Sequence, residues 1–377
     1  MKVLHTGTLN VNAGGPAMST YYTLLGLQQQ GIDAQIIMYS LPPTERLTGK
    51  KIPIHYARTP WKYKIGYSPV LKKEIEKLGN YNIYHAQGIW QYPTYALVDI
   101  ARRKKKPYLI TPRGMLYPQD IAKSNSFLKK LSLKFRLLDD LNQAACVQVT
   151  CKEEMIHCRN LGVNSPIAII PNPIEIKKYE GTKKDNIFRL GYLGRISPRK
   201  NVESLIYAFA ELREETDNTE LLIIGSGDKQ YESFLKKEVK RLNLHNVRFT
   251  GFLSGKEKDI AMASISVLAM PSEFENLGNV ILEGLIRQIP CIATYGSPWE
   301  ELNSYNCGWW VKYNPNTITE TIREAIHTPS EELKAMGERG KVLMEKNYSI
   351  EAVAYKMKQL YEWVLGQNTK PDFVYEQ

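Results

Sequence analysis

Two glutamates with a glycine between them form the most informative polar stretch of the chain. Glu275 and Glu283 bracket a turn that contains Gly278, and an apolar run from Ile265 to Met270 precedes the turn. The run predicts a buried parallel strand, and a helix is predicted to begin near Asn279. Carboxylates repel phosphate but accept hydrogen bonds from hydroxyl groups, whereas backbone amides at a helix start attract anions. A phosphorylated sugar would suit both parts, although such turns also occur without a ligand.

Two cations earlier in the chain would complement a diphosphate. Arg195 ends a predicted strand that begins at Phe188, and Lys200 lies five residues later, at a predicted helix start. A diphosphate can engage both side chains. Arg199 is a third cation in this segment and leaves the choice of partners open. Because the sequence contains neither a D-x-D pair nor a P-loop, we expect side chains and helix ends, not a metal ion, to balance the phosphate charge.

The first half of the chain offers further contact residues. Gly14 and Gly15 follow the first predicted strand, where the backbone could approach a phosphate or a sugar, and a mobile loop is the alternative. His85 is predicted at the end of a strand, a common place for ligand contacts in open α/β sheets, and interior packing is its alternative. Arg113 follows another predicted strand, 108–111. The glycine spacing does not match G-x-G-x-x-G, so a nicotinamide site is not predicted.

Alternating strand and helix patterns must position these residues. One series occupies the first half of the chain, and a second begins near Phe188, after the boundary motif Pro171-Asn172-Pro173. Two such series predict an α/β protein with two doubly wound domains that face each other across a cleft. A length of 377 residues is sufficient for two domains, each with its own core.

The composition narrows the class of protein. Hydrophobic residues make up 43% of the chain and charged residues 24%, values typical of a soluble globular protein. No apolar run reaches the roughly 18 residues that a membrane span requires, and no signal peptide follows Met1, so we expect a cytosolic protein. The five cysteines include no C-x-x-C pair, which favours buried, reduced thiols over a disulfide framework.

The positive charge lies entirely in the first half. The whole chain carries +11, but residues up to Asn172 have 23 Lys and Arg against 10 Asp and Glu, and the remainder has 27 against 29. The first half is therefore predicted to meet an anionic lipid surface, a phosphorylated acceptor or a nucleic acid. A basic segment with apolar residues at helical spacing, 126–145, fits either a membrane surface or a core-facing helix.

These features together resemble the retaining GT-B glycosyltransferases of family 4, the group 1 glycosyltransferases. The resemblance spans almost the whole chain in the expected order. It is carried by Gly14-Gly15-Pro16, Pro171-Asn172-Pro173-Ile174, Gly194-Arg195 with Lys200-Asn201, and the E-x7-E motif from Glu275 to Glu283. It implies GT-B architecture with two Rossmann-like domains, an acceptor-binding domain at 1–172 that includes a C-terminal crossover helix at about 348–377, and a nucleotide-sugar domain at 173–347.

The resemblance also implies roles for individual residues. Arg195 and Lys200 would hold the donor diphosphate and stabilise the leaving nucleotide, and Glu283 would bind the ribose. Glu275 would orient sugar hydroxyls. The remaining donor contacts are implied for Gly15, Asn276, Leu277, Gly278 and Asn279.

The chain departs from the family at one position. Many members carry a histidine where Arg113 stands here. Arg113 is therefore assigned to an acceptor phosphate, and Gly14 and His85 also to the acceptor, with His85 as a catalytic candidate.

The predicted activity is a metal-independent hexosyl transfer without a cofactor, from a nucleotide-diphosphate sugar to a saccharide acceptor. The basic first half favours a polyprenyl-diphosphate-linked acceptor at the inner face of a bacterial membrane, in surface polysaccharide synthesis, with the enzyme cytoplasmic or peripheral on that membrane. A GT-B epimerase or phosphorylase is one alternative. A polyanion-binding module is another, but the basic residues lack interleaved aromatics, so no nucleic acid partner is predicted.

Overall fold

The chain divides into two units, each built on one twisted sheet. In the computed structural model the first unit comprises Met1–Glu175 and Ser349–Gln377, and the second comprises Ile176–Tyr348. The structure describes residues 1–40, 47, 52–58, 66–122, 125–179, 185–215 and 218–376. In this described part, no helix is both long enough and apolar enough to cross a bilayer.

The strands are short and mostly buried. Their bounds are β1 Lys2–Thr6, β2 Asp33–Tyr39, β3 Ile54–Ala57, β4 Ile83–Gln87, β5 Tyr108–Thr111, β6 Cys146–Val149, β7 Ile167–Ile169, β8 Phe188–Leu193, β9 Thr219–Ile224, β10 Val247–Gly251, β11 Val267–Met270, β12 Cys291–Thr294, β13 Gly308–Val311 and β14 Val374–Tyr375. Every residue of β5, β6, β11 and β12 is buried, as expected for parallel strands covered on both faces.

Helices connect the strands. Their bounds are α1 Gly15–Gln29, α2 Leu71–Lys77, α3 Tyr92–Arg103, α4 Pro118–Ala122, α5 Ser126–Ser132, α6 Leu138–Asn142, α7 Lys152–Asn160, α8 Val202–Glu211, α9 Lys229–Arg241, α10 Gly255–Ala263, α11 Asn279–Leu285, α12 Glu301–Ser304, α13 Pro315–His327, α14 Ser330–Leu343 and α15 Ile350–Val364. A π-helical turn, Leu133–Leu137, joins α5 to α6.

Each sheet has a point at which the strand order reverses. The first sheet has the order β14-β7-β6-β5-β4-β1-β2-β3, and the second has β10-β9-β8-β11-β12-β13. All pairs are parallel except β14 with β7. β1 lies between β2 and β4, and β8 lies between β9 and β11. Ligands of open α/β sheets bind beyond the carboxyl ends of the strands at such switch points.

The last helix belongs to the first unit. α15 packs on α1, and the buried side chains Leu24, Leu27, Val353 and Met357 lie in one apolar cluster with residues of β1 and β2. Burial of these side chains anchors a segment that is distant in sequence from the rest of the unit. All five cysteines are buried free thiols, as the sequence predicts.

Candidate active site

Three of the predicted site residues of the second unit lie in loops at the carboxyl edge of its sheet. The loop after β8 holds Arg195 and Lys200, and the loop after β11 holds Glu275 and leads into α11. β8 and β11 are neighbours at the switch point. The sequence positions of these residues are far apart, but the sheet order places their loops at adjacent strand ends.

Lys200 and Glu275 form an ion pair. The Lys200 ammonium donates to the Glu275 carboxylate, and the two side chains are 19% and 11% exposed. Lys200 ends a short 3-10 turn that begins at Pro198, directly before α8. The backbone amide of Glu273 donates to the carbonyl of Arg199 at 3.0 Å and joins the two loops at the backbone level. The pairing of a lysine with a glutamate 75 residues later is therefore built into the loop packing.

Arg195 differs from Lys200 in its surroundings. Its side chain is exposed, and no carboxylate of the described residues lies within salt-bridge distance of its guanidinium. The buried hydroxyl of Tyr192 donates to the Arg195 carbonyl at 2.9 Å, which holds the backbone of the turn. Burial, with Glu275 nearby, raises the pKa of Tyr192, so the hydroxyl remains a donor. The charge of Arg195 is thus available to an anion.

The loop after β9 packs directly against the loop after β8. The Gly194 amide donates to Ile224 at 3.0 Å, and the Ile196 amide donates to Ser226 at 3.2 Å. Gly225 has a φ of +141°, and a Cβ on this residue would overlap the Gly194 carbonyl oxygen. The glycine is required here because backbone meets backbone.

Aromatic and backbone contacts hold the turn before α11 in place. The Trp299 indole donates to the Leu277 carbonyl, and Trp299 is fully buried. Gly278 caps the helix with φ 70° and ψ 69°. A Cβ at Gly278 would lie 2.6 Å from the Met270 sulfur, so the end of the Met270 side chain would have to shift, and the positive φ itself disfavours any other residue. The Glu275 amide donates to the Gly296 carbonyl at 2.7 Å and fixes the start of the turn.

Glu283 lies one turn into α11 and belongs to a second charged group. Its carboxylate pairs with Lys258 of α10 and lies 3.8 Å from Arg287. Arg287 also pairs with Asp259 at 2.6 Å, and its guanidinium lies 3.7 Å from the ring centroid of Tyr179. Lys258 was not identified from the sequence, because it lies 25 residues from Glu283 in no recognisable motif. α11 has seven residues, so its contribution to anion binding is limited to about two turns.

Arg113 of the first unit donates hydrogen bonds to neutral side chains. Its guanidinium donates to Gln87 at 2.6 Å, to Ser19 at 2.8 Å, to Asn172 at 3.1 Å and to Thr20 at 3.3 Å. Burial lowers the pKa of Arg113 to about 10, and Glu154 opposes this shift. The Nε atom is buried and has no partner among the described residues.

Gly14 and Gly15 lie at the amino end of α1. Gly14 is exposed and caps the helix with φ 62°, and Gly15 is the first helical residue. The same helix carries Ser19 and Thr20, which accept hydrogen bonds from Arg113. The glycine loop and Arg113 are therefore joined through α1.

The position of His85 does not support its assignment as a catalytic and acceptor-binding residue. The residue is fully buried within β4, with one ring nitrogen 2.7 Å from the Tyr361 hydroxyl and the other 2.7 Å from the Thr111 hydroxyl. Desolvation, with His5 and Arg113 nearby, holds the pKa of His85 well below its ordinary value. The packing interpretation fits these contacts, because both nitrogens are engaged inside the protein.

No group of three or more His, Cys, Asp or Glu side chains in the described ranges is arranged to hold a metal ion. Arg195 and Lys200 lie in a loop at the carboxyl edge of the second sheet, and Lys258 pairs with Glu283 of α11. Arg195, Lys200 and Lys258 could neutralise phosphate oxygens, and Glu275 and Glu283 could accept hydrogen bonds from hydroxyl groups.

Comparisons with known proteins bear on both halves of the chain. Residues 13–178 match the family model described as Glycosyltransferase Family 4, and residues 173–343 match the one described as Glycosyl transferases group 1. An uncharacterized glycosyltransferase of Methanocaldococcus jannaschii is 31% identical over 49% of this chain and 52% of its own length. The alpha-monoglucosyldiacylglycerol synthase of Streptococcus pneumoniae is 28% identical over 80% of this chain and 69% of its own length. The chain thus spans about half to two thirds of these two relatives.

The fold has close counterparts among solved structures. Anabaena HepE, solved in complex with UDP and glucose, superimposes with a TM-score of 0.74 over 96% of this chain and 100% of that one, at 17% sequence identity. At this identity the likeness concerns the fold, which is GT-B. The two matched models adjoin and cover nearly the whole sequence, and the chain belongs to the group 1, family 4 glycosyltransferases.

Proposed function

We propose that this protein is a retaining, metal-independent hexosyltransferase that uses a nucleotide-diphosphate sugar. One observation carries the proposal: the exposed Arg195 and the Lys200–Glu275 ion pair lie in loops at the switch point of the second sheet. Cations beside a carboxylate match a ligand that has phosphates next to sugar hydroxyls. The complex of HepE with UDP and glucose supports this ligand class.

The donor diphosphate is assigned to Arg195 and Lys200. Arg195 has a planar guanidinium that can bind two phosphate oxygens at once. Lys200 has three N–H donors, and Glu275 occupies one of them, so the lysine can bind phosphate without losing its carboxylate. Glu275 would thereby aim Lys200 and also accept a hydrogen bond from a sugar hydroxyl.

The rest of the donor is assigned to α11 and the turn before it. Asn276, Leu277, Gly278 and Asn279 would contact phosphate or sugar, mainly through their backbone. Glu283 would accept hydrogen bonds from the ribose, and its pairing with Lys258 keeps its charge compensated. Gly15, at the start of α1, would add a contact from the first unit.

The chemical step needs no protein nucleophile. The acceptor hydroxyl oxygen forms a bond to the anomeric carbon on the face from which the phosphate departs, and the bond from that carbon to the phosphate oxygen breaks. The departing phosphate takes the acceptor proton. Arg195 and Lys200 would stabilise the negative charge that develops on the diphosphate, which is the role that a metal ion has in other transferases.

The acceptor is assigned to the first unit. Its net charge of +13 up to Asn172 favours a saccharide linked to polyprenyl diphosphate at the inner face of the cell membrane, for surface polysaccharide. Gly14 and Arg113 are the proposed contacts, because the buried Nε of Arg113 has no partner in the described part of the chain and its other nitrogens donate hydrogen bonds to neutral groups. The lipid named for the pneumococcal relative supports a membrane-borne acceptor.

Donor binding is tested first by a thermal-shift screen against UDP, GDP, ADP and their sugars, without added metal. One nucleotide should raise the melting temperature of the wild type, because a ligand that binds only the folded state stabilises it. Arg195→Ala should weaken this binding about ten- to a hundredfold, the effect of one lost charge-assisted contact. Lys237→Ala, an exposed cation on α9, serves as the control.

Turnover is tested with the nucleotide-sugar identified in this screen. Transfer to a lipid-linked saccharide with retained anomeric configuration, in the presence of a chelator, is the expected result. Isomerisation of the donor in the absence of acceptor would identify an epimerase instead. Wild-type turnover in Arg195→Ala would place the diphosphate elsewhere.

A further inference from the structure

The helical segment 126–142 of the first unit exposes a row of large apolar side chains. Phe127 is 76% exposed, Leu128 59%, Leu131 43% and Phe135 70%, and we call these four residues the outer face. Phe127, Leu131 and Phe135 follow one another at intervals of four, so they lie along one side of the helix. An apolar helix surface of this kind normally packs against a partner.

The opposite side of the same segment is buried in the first unit. Leu137 and Leu141 are fully buried and belong to its apolar core. The segment is therefore apolar on both sides, which explains why the sequence pattern fitted a core helix as well as a membrane-facing one. The structure shows that one stripe is used for the core and the other is left in solvent.

Ion pairs hold the segment in this orientation. Arg136 donates to Asp140 at 2.7 Å and also pairs with Asp99. Arg102 lies 3.0 Å from Asp140, whose side chain is fully buried. Rotation of the helix to hide the outer face would separate the buried Asp140 carboxylate from Arg102, and Arg136 from Asp99. The outer face is thus held outward by the fold.

Two lysines lie on the same helical segment as the outer face. Lys130 and Lys134 are exposed, lie one turn apart, and have no salt bridge with a carboxylate of the described residues. The Lys134 ammonium lies 5.6 Å from the ring centroid of Phe135. The sequence contains no acidic residue from 121 to 138. A protein partner usually presents both signs of charge, whereas an anionic bilayer presents only one.

We propose that the outer face docks on an anionic phospholipid bilayer. Phe127, Leu128, Leu131 and Phe135 insert at the boundary between head groups and acyl chains, and Lys130 and Lys134 contact lipid phosphates. This inference rests on the proposed function in one respect: an enzyme docked on the bilayer could reach the membrane-borne acceptor proposed above. Donor binding by the second unit does not depend on it.

The test is co-sedimentation of the full chain with vesicles of phosphatidylcholine alone, or with about one third phosphatidylglycerol. The wild type should bind the mixed vesicles and not the neutral ones. Phe127→Ser/Phe135→Ser should weaken binding at least about tenfold, because apolar area is lost from the contact. Lys130→Glu/Lys134→Glu should weaken it at least about 25-fold, since each lysine contributes about fivefold.

Two matched controls come from the second unit. Phe252→Ser removes an aromatic ring that is 75% exposed, and Lys229→Glu/Lys237→Glu reverses two exposed charges on α9. Both control variants should bind vesicles as the wild type does. A loss of binding equal to that of the outer-face variants would show that net charge or general exposure, not this surface, drives association.

Other outcomes overturn the proposal. Wild-type protein that fails to bind anionic vesicles refutes it, as does undiminished binding by both outer-face variants. Sedimentation equilibrium provides a further check: self-association of the wild type that Phe127→Ser/Phe135→Ser abolishes would make the outer face a contact between copies. The nucleotide-induced thermal shift should be the same in all these variants, so a failed docking surface leaves the donor assignment standing, and the reverse holds for Arg195→Ala.

Discussion

The Lys200–Glu275 ion pair gives the sharpest prediction about the candidate site. Lys200→Met keeps the length of the side chain and removes its charge, which leaves the Glu275 carboxylate without its described cation. Exposed ion pairs contribute about 0 to 1 kcal/mol, and removal of one partner from a fully buried pair costs about 3 to 5 kcal/mol. Because these side chains are 19% and 11% exposed, we expect an intermediate loss of about 2 kcal/mol.

Urea unfolding and thermal melting measure this loss. For a unit of the size of Ile176–Tyr348, about 2 kcal/mol corresponds to a fall in melting temperature of about 4 to 8 °C. Lys341→Met is the matched control, because Lys341 and Glu345 form a pair at 3.7 Å whose side chains are 38% and 46% exposed. The control should change stability by less than about 0.5 kcal/mol.

Kinetics then separate a structural pair from a functional one. Lys200→Met should lower kcat/KM for the donor about ten- to a hundredfold, from the loss of a charge-assisted contact. If Glu275 orients Lys200, Glu275→Gln should also lower kcat/KM for the donor. The fold-decrease in kcat/KM of the double variant should then be smaller than the product of the fold-decreases of the two single variants. Wild-type turnover in Lys200→Met, with the stability loss present, would refute the role of Lys200 in donor binding and leave the pair as a structural contact.

Two further predictions concern backbone packing and acid stability. Gly225→Ala should lower the free energy of unfolding by about 2 kcal/mol or more and weaken donor binding, because the new Cβ overlaps Gly194. Gly79→Ala is the control, because Gly79 has φ +92° but no atom lies within 4 Å of its added Cβ. This control should lose only the stability that backbone strain costs, and it should bind the donor normally. His5 and His85 are buried, and burial lowers the pKa of His5 to about 3 and that of His85 well below 6.5. As the pH falls below about 6.5, these two histidines therefore bind protons in the unfolded chain but stay neutral in the folded chain. Their stability contribution is complete above about pH 6.5 and is lost as the pH falls toward 3, by up to about 1.4 kcal/mol per pH unit for each histidine. His85→Gln should flatten the dependence of the urea midpoint between pH 6.5 and 4.5, and an unchanged slope would contradict this account.

Much of the fold follows from local sequence pattern. The predicted strand 108–111 coincides with β5, and the turn with Gly278 predicts the start of α11. Strand and helix formation depend on residues close in sequence, so periodicity reports them well. The pattern missed β3, β13 and β14, which have four, four and two residues. β3 and β13 are only partly buried and lack the continuous apolar run of a central strand, and the two residues of β14 carry little periodic signal.

The sequence alone determined the alternating α/β organisation, the family, and the loops that carry Arg195, Lys200 and the E-x7-E motif. Only the tertiary structure decided what those side chains touch. Lys200 meets a carboxylate 75 residues away, and His85 is bonded to Tyr361, 276 residues away on α15. The exposure of Phe127 was equally undecided, because a helix with two apolar stripes has no local reason to bury one and not the other. Contacts between distant segments are set by packing of the whole chain, whereas spacing along the sequence records only neighbours.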